Sequence, residues 1–188
     1  MQIRNFTNPG DQRLHELAIM GLQIERQKME ERAKQQSKKL VHTPQKRIGQ
    51  VIACKFFTTD TLIATLCASM QWGKTGVILE VAFTLTTHID MGIDPENVFV
   101  VTGMSDNEWR EQTTERLPSD FQVFHRGNLK RLLPALSDVT NALIVIDECH
   151  YGANETSVIS STLKEAGLLD ILALQQRNVR IFQTSATP

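Results

Sequence analysis

Three cysteines, Cys54, Cys67 and Cys149, are all this chain has. They are odd in number and far apart, with no C-x-x-C pair and no paired-histidine spacing. That rules out a disulfide framework and argues against a zinc site. All three lie in or beside apolar runs, which predicts reduced, buried thiols. His15, His42, His88, His125 and His150 likewise form no metal-ligand cluster. No apolar run approaches the roughly 20 residues of a membrane span, and the first residues lack the apolar core of a signal peptide. The expectation is an intracellular protein, cytoplasmic with a nuclear location left open, and no membrane partner. A surplus of charge is also missing: the formal net charge is −1. Nothing therefore pulls the whole chain toward a polyanion, although a local basic face is compatible with that total.

What is present is an ordinary globular composition, 41% hydrophobic and 22% charged over 188 residues. That is enough for one substantial core and hardly for two. No internal repeat or long linker divides it. A turn at Asn8-Pro9-Gly10 precedes a predicted helix over 12–37. Between residues 25 and 39 six basic residues face three acidic ones, which reads as a solvated helix face, with contact to nucleic acid as the sharper alternative.

The stretch 62–77, LIATLCASMQWGKTGV, organises the remainder. It passes from an apolar strand, taken as buried, into Ala68, Ser69, Met70, Gln71, Trp72, Gly73, Lys74 and Thr75, and then into an apolar helix start. That spacing, [A/G]-x-x-x-x-G-K-[S/T], is the pattern of a phosphate-binding loop. Backbone N–H groups in such a turn converge on one point, and the helix adds its unpaired N–H groups and the positive end of its dipole. Lys74 would reach the β- and γ-phosphates of ATP, and the Thr75 hydroxyl would hold Mg²⁺.

Upstream, Pro44 suits a first helical turn with Thr43 as N-cap, and Ile48, Val51, Ile52, Lys55 and Phe56 mark a mainly apolar face. Gln45 and Arg47 are candidate contacts to adenine or to the loop. Downstream, a helix over 74–88 is too continuously apolar for a surface. Strands follow at 97–102 and 121–125, with a helix between them capped by Ser105 or Asp106 and carrying Trp109 and Gln112. A short helix begins near Leu129. Recurring strand and helix units predict an α/β fold, a mostly parallel central sheet with helices on both faces.

Residues 142–148, ALIVIDE, supply a second anchor: a strand buried on both faces that ends in Asp147 and Glu148. Ligands bind at that end of open α/β sheets. Asp147 would hold Mg²⁺, directly or through water, and Glu148 would be the base or the orienting group for the attacking water. Cys149 is read as packing, while His150 stands where it could sense the nucleotide. A helix over 157–165, a turn at Gly167, an apolar segment through Leu172 and a strand at 179–182 complete the chain. Thr184, Ser185, Ala186 and Thr187 place small hydroxyls beside the same edge.

Together ASMQWGKT, VIDECH and TSAT, in this order, resemble the first RecA-like domain of a superfamily 2 helicase or translocase of the DExH type. The resemblance covers residues 40–188, and residues 1–39 form an N-terminal helical extension with no recognised motif. It implies a RecA-like P-loop NTPase domain with ATP and Mg²⁺ as cofactors. Lys74, Asp147, Glu148 and His150 then take the catalytic positions, and Ser185, Ala186 and Thr187 couple the nucleotide to movement. Gln45 matches an adenine-recognising glutamine by placement. Thr102 and Gly103, then Arg126 and Gly127, match loops that contact nucleic acid; the motifs do not decide between DNA and RNA, and the DECH spelling leans toward DNA. The family also needs a second RecA-like domain, in cis or in trans, whose arginines reach the γ-phosphate. This sequence stops before one, so the expectation is a fragment, split subunit or truncated relative with weak activity alone. A non-motor ATP-dependent interaction module is the alternative, and another class of P-loop ATPase, such as a metabolic kinase, a more distant one.

Overall fold

The computed structural model describes residues 41–69, 72–88, 92–102, 117–125, 128–149 and 158–186, together with positions 20, 24 and 27. The chain divides into two compact units, Met1–Leu40 and Val41–Pro188. In the first, Met20, Ile24 and Gln27 are helical and exposed, and their spacing puts them along one side of a helix.

The second unit is an α/β fold. Its elements run α1 (Thr43–Thr58), β1 (Ile63–Cys67), α2 (Lys74–Thr86), β2 (Val98–Thr102), β3 (Gln122–Phe124), α3 (Leu132–Leu136), β4 (Ala142–Asp147), α4 (Val158–Glu165), α5 (Ile171–Gln176) and β5 (Val179–Ser185). The strands form one five-stranded sheet in the order β1-β5-β4-β2-β3, and every pairing is parallel. Parallel neighbours cannot be joined by tight turns and need crossovers, which is why strands and helices alternate.

The sheet's core follows from the strand sequences. VFVVT in β2 and ALIVID in β4 are buried at every position, as continuous apolar runs in a sheet covered on both faces should be. Alternate side chains point to opposite faces. Val98, Val100, Leu143, Val145 and Phe182 pack with Ala53 and Phe56 of α1 and with Val77, Val81 and Leu85 of α2. Phe99, Val101, Ile144, Ile146 and Ile181 pack instead with Leu132 of α3, Ile159 and Leu163 of α4, and Leu174 of α5. Helices thus cover both faces.

Several local expectations are corrected. The N-cap of α1 is His42, with Thr43 and Pro44 inside the first turn. The buried face of α1 is Gly49, Ala53 and Phe56, whereas Val51 is exposed, as is Lys55. The strand before the phosphate loop is not buried on both faces. Within the described sheet β1 is an edge strand with β5 as its one neighbour, so exposure alternates along it and Ile63 is 43% exposed. Cys54 and Cys67 are exposed and Cys149 is half-buried, because the first lies on the outer side of α1 and the second on the open face of β1.

Helix α2 stops at Thr86, where the Thr86 and Thr87 hydroxyls donate to Phe83 O at 3.1 and 2.6 Å. The segment through Leu172 is a helix, α5, capped by Asp170, whose carboxylate accepts the Leu172 N–H at 2.8 Å. Strand β5 continues past Phe182 to Ser185, because Thr184 and Ser185 still find partners in Leu66 and Cys67. The helix expected around Trp109 and Gln112 lies outside the described residues.

Candidate nucleotide site

Parallel pairing brings the ends of β1, β4 and β5 to one edge of the sheet. Ser185 stands opposite Cys67, and the ladder runs on into the loop through Ala68 N–H donating to Ser185 O at 3.0 Å. Beyond Ala68 and Ser69 the chain returns at Trp72, whose N–H donates to Ser69 O at 3.3 Å. Gly73 then adopts φ +92°, a left-handed conformation that side chains disfavour. It turns the chain into α2, and Gly76 N–H closes the first turn on Gly73 O at 2.9 Å.

Lys74, the first residue of α2, is buried to 9% exposure, and its ammonium pairs with Glu148 Oε1 at 2.7 Å. Glu148 follows directly on β4 and has φ +53°, a region that costs a non-glycine residue about 1–2 kcal/mol. Its carboxylate is held on both oxygens: Lys74 pairs with Oε1, and Ala186 N–H donates to Oε2 at 3.2 Å. A strained acid fixed from two directions fits a site where position matters more than local stability.

Asp147 sits beside it, buried. Its Oδ1 accepts the Thr184 hydroxyl at 2.5 Å and the Glu148 N–H at 3.1 Å. Desolvation holds this carboxyl above its ordinary range, and the Glu148 carboxylate adds to the effect, while Thr184 and Lys74 oppose it. Its oxygens, and the hydroxyl of half-buried Thr75, which follows Lys74 in α2, are hard donors of the kind Mg²⁺ takes, with phosphates and water completing the shell. The residues fit that ion, although among the described residues no group of three or more His, Cys, Asp or Glu side chains comes together.

Gln45 reaches this loop from α1. Its Oε1 accepts the His42 N–H at 2.9 Å, and its Nε2 donates to Trp72 O at 3.4 Å. Of the two contacts expected for this residue, the structure has the one to the loop. Arg47 is exposed and with Thr43, Pro44 and Ile48 lines an open pocket of its own.

Ser185 is buried and shares a side-chain hydrogen bond with Cys149, whose thiol burial pushes above its ordinary value, with Cys67 nearby adding to that shift. Thr102 ends β2 opposite Asp147 and is fully buried, so its side chain is not offered to a ligand at the surface. Met70, Gln71, Gly103, Arg126, Gly127, His150 and Thr187 lie outside the described residues.

The structure therefore joins Lys74, Asp147, Glu148 and Ala186 into one bonded cluster, and Thr75 follows Lys74 in α2. Thr184 belongs to it as well. The sequence offered Thr184 only as the first residue of TSAT and one of several small hydroxyls at this edge, and its partner became visible once β5 lay beside β4. Gly76 was not singled out at all; the signal was a second glycine at the start of an otherwise apolar helix.

Comparison with protein-family models and with curated proteins returns no match. No helix among the described residues is long and apolar enough to cross a membrane.

Proposed function

We propose that residues 41–188 form a RecA-like P-loop NTPase domain, the ATP-binding half of a nucleic-acid-dependent ATPase of the DExH type. It would translocate on or unwind DNA, with RNA as the other possible track, using Mg-ATP hydrolysis. The observation that carries this reading is the Lys74–Glu148 ion pair, which joins the start of the helix after the loop to the acid at the end of the buried strand.

In this reading the phosphates of ATP enter between those two groups. Lys74 exchanges the Glu148 carboxylate for phosphate oxygens, a trade of one anionic partner for another at the positive end of α2. Glu148, released from the ammonium but still held by Ala186 N–H, takes the proton of the attacking water. Thr75 and Asp147 would hold Mg²⁺, which when bound neutralises charge on the phosphates. Thr184, through its bond to Asp147, ties β5 to the metal-side acid, so a change in that acid's partners is felt in the segment running to Ser185 and Ala186. An arginine supplied by a second RecA-like domain, in cis or in trans, would contribute about 10³- to 10⁵-fold in turnover, so slow hydrolysis is the expected behaviour of the domain assayed without one.

The test is the ATPase rate of the chain, alone and joined to a second RecA-like domain, with and without single-stranded DNA and RNA. Lys74→Ala and Glu148→Gln serve as controls. Stimulation by one polymer that both variants lose supports a motor half and identifies its track. ATP binding with a flat response rejects the motor and leaves a nucleotide-dependent interaction module. The ion pair gives that second reading its footing, since it keeps the acid occupied until a ligand displaces it.

A further inference from the structure

We infer that Gln45 braces the phosphate loop and does not read the base, so that the site selects the triphosphate and accepts nucleoside triphosphates with little regard to base. The inference rests on the reading of 68–75 as a phosphate loop and concerns what that loop can discriminate.

The geometry is a slot. A Cβ built on Gly73 would overlap Gln45 Nε2, and one built on Gly76 would overlap Gln45 Oε1. The amide therefore lies against the loop and the first turn of α2, in space that exists because both positions lack side chains. Its two ends are committed there, Oε1 to His42 N–H and Nε2 to Trp72 O. An amide that recognises adenine must offer an acceptor to the exocyclic N6 amine and a donor to N7. One lone pair and one N–H of this amide are already engaged with backbone, and both its ends lie against the two glycines, so it meets a base in that way only by leaving the slot. Turning the amide out to a base would uncap α1 at His42, release the loop at Trp72 and leave a void beside both glycines. A bidentate amide contact to a base is worth about 1–3 kcal/mol, or about tenfold to a hundredfold in affinity. That discrimination is forgone.

The experiment measures dissociation constants of the full chain for ATP, GTP, CTP, UTP and inorganic tripolyphosphate, each with Mg²⁺, by calorimetry. It is repeated for Gln45→Ala, Gln45→Glu, Gly76→Ala and the Gln45→Ala/Gly76→Ala double variant, after melting curves establish that each is folded. The expected wild-type profile is flat within about threefold across the four bases. Gln45→Ala should weaken all five ligands by a common factor. Gly76→Ala should weaken them too, through the collision of its Cβ with the amide. The double variant should recover part of that loss, since the methyl then fills an empty slot. Gln45→Glu, which keeps the acceptor for His42 and loses the donor to Trp72, should fall between wild type and alanine at every base.

A wild-type preference for ATP above tenfold that disappears in Gln45→Ala would overturn the inference and leave the phosphate loop standing. Failure of the wild-type chain to bind either nucleotide or tripolyphosphate would overturn both. Should the alanine variants not fold, the wild-type profile and Gln45→Glu still decide between these outcomes.

Discussion

Lys74 Nζ and Glu148 Oε1 stand 2.7 Å apart, with side chains only 9% and 16% exposed. Two opposite charges so shielded from water depend on each other: each offsets the other's desolvation, and removing one strands its partner. Lys74→Ala should therefore destabilise the domain by about 3 kcal/mol, read as a lower urea midpoint at unchanged slope. Glu148→Gln should act in the opposite sense on ligand, because the ammonium no longer has to give up an anion before taking a phosphate. Its affinity for Mg-ATP should rise by about tenfold, equal to about 1.4 kcal/mol, while hydrolysis is lost. Weaker ATP binding by Glu148→Gln would show that the pair is not what the nucleotide displaces.

Burial of Asp147 makes stability depend on pH, and the bond from Thr184 opposes the effect. Asp147 is held above its ordinary value of 3.8, chiefly by desolvation, so the folded state binds that proton more tightly than the unfolded chain. The contribution of this group to stability is thus greatest below 3.8, falls as pH rises through the elevated folded value, and levels off above it. Asp147→Asn should abolish this fall and leave the ligand-free domain more stable at neutral pH than wild type. Thr184→Val removes a hydrogen bond that lowers the Asp147 value, so it should extend the falling region to higher pH and cost about 1–3 kcal/mol. Thr184→Ser should restore both. Urea titrations from pH 3 to 8 on the four proteins measure this. Superimposable pH profiles for wild type and Asp147→Asn would exclude Asp147 as the origin.

Much of this was legible from residue patterns, because the strongest patterns are local. A buried β4 is written in ALIVID, and the turn into α2 in Gly73-Lys74. The edge position of β1 was not legible: LIATLCA is as apolar as a central strand, and only pairing reveals that β5 is its one neighbour in the described sheet. The same lack of a second neighbour explains the exposure of Cys67. Helix α5 is short and has a single buried apolar anchor, Leu174, too little periodicity to distinguish from a loop. The roles of Gln45 and Thr184 depend on contacts across 27 and 37 residues, which no spacing rule reaches. The Lys74–Glu148 pair itself was foreseeable as neighbourhood, from the two motifs, but not as a bond.

Arg177 offers a control at the opposite edge of the sheet, just before β5. Its guanidinium donates to Val139 O at 2.8 Å, to Ala166 O at 2.9 Å and to Leu136 O, tying the ends of α3 and α4 to the start of β5. One side chain thus satisfies three carbonyls that helix ends and turns leave open. Arg177→Ala should cost about 3 kcal/mol or more, since hydrogen bonds from a charged group are the stronger kind. Arg177→Lys should recover little, because an ammonium cannot reproduce the planar fork. Nucleotide affinity, measured below the melting range, should not move. A parallel loss of affinity would mean that the two edges of the sheet are coupled.

Thiol chemistry gives the last test, and it probes the site without a ligand. Cys54 and Cys67 are exposed, whereas Cys149 is half-buried, bonded to Ser185, and pushed above its ordinary value of 9.0 mainly by desolvation. The thiolate is the reactive form, so at pH 7.5 iodoacetamide should modify the first two quickly and Cys149 at least about tenfold more slowly. Raising the pH should accelerate Cys149 across a range lying above the ordinary thiol value. Peptide mass spectrometry over time resolves the three sites. Equal modification rates at all three sites would show that Cys149 is not shielded as its burial implies.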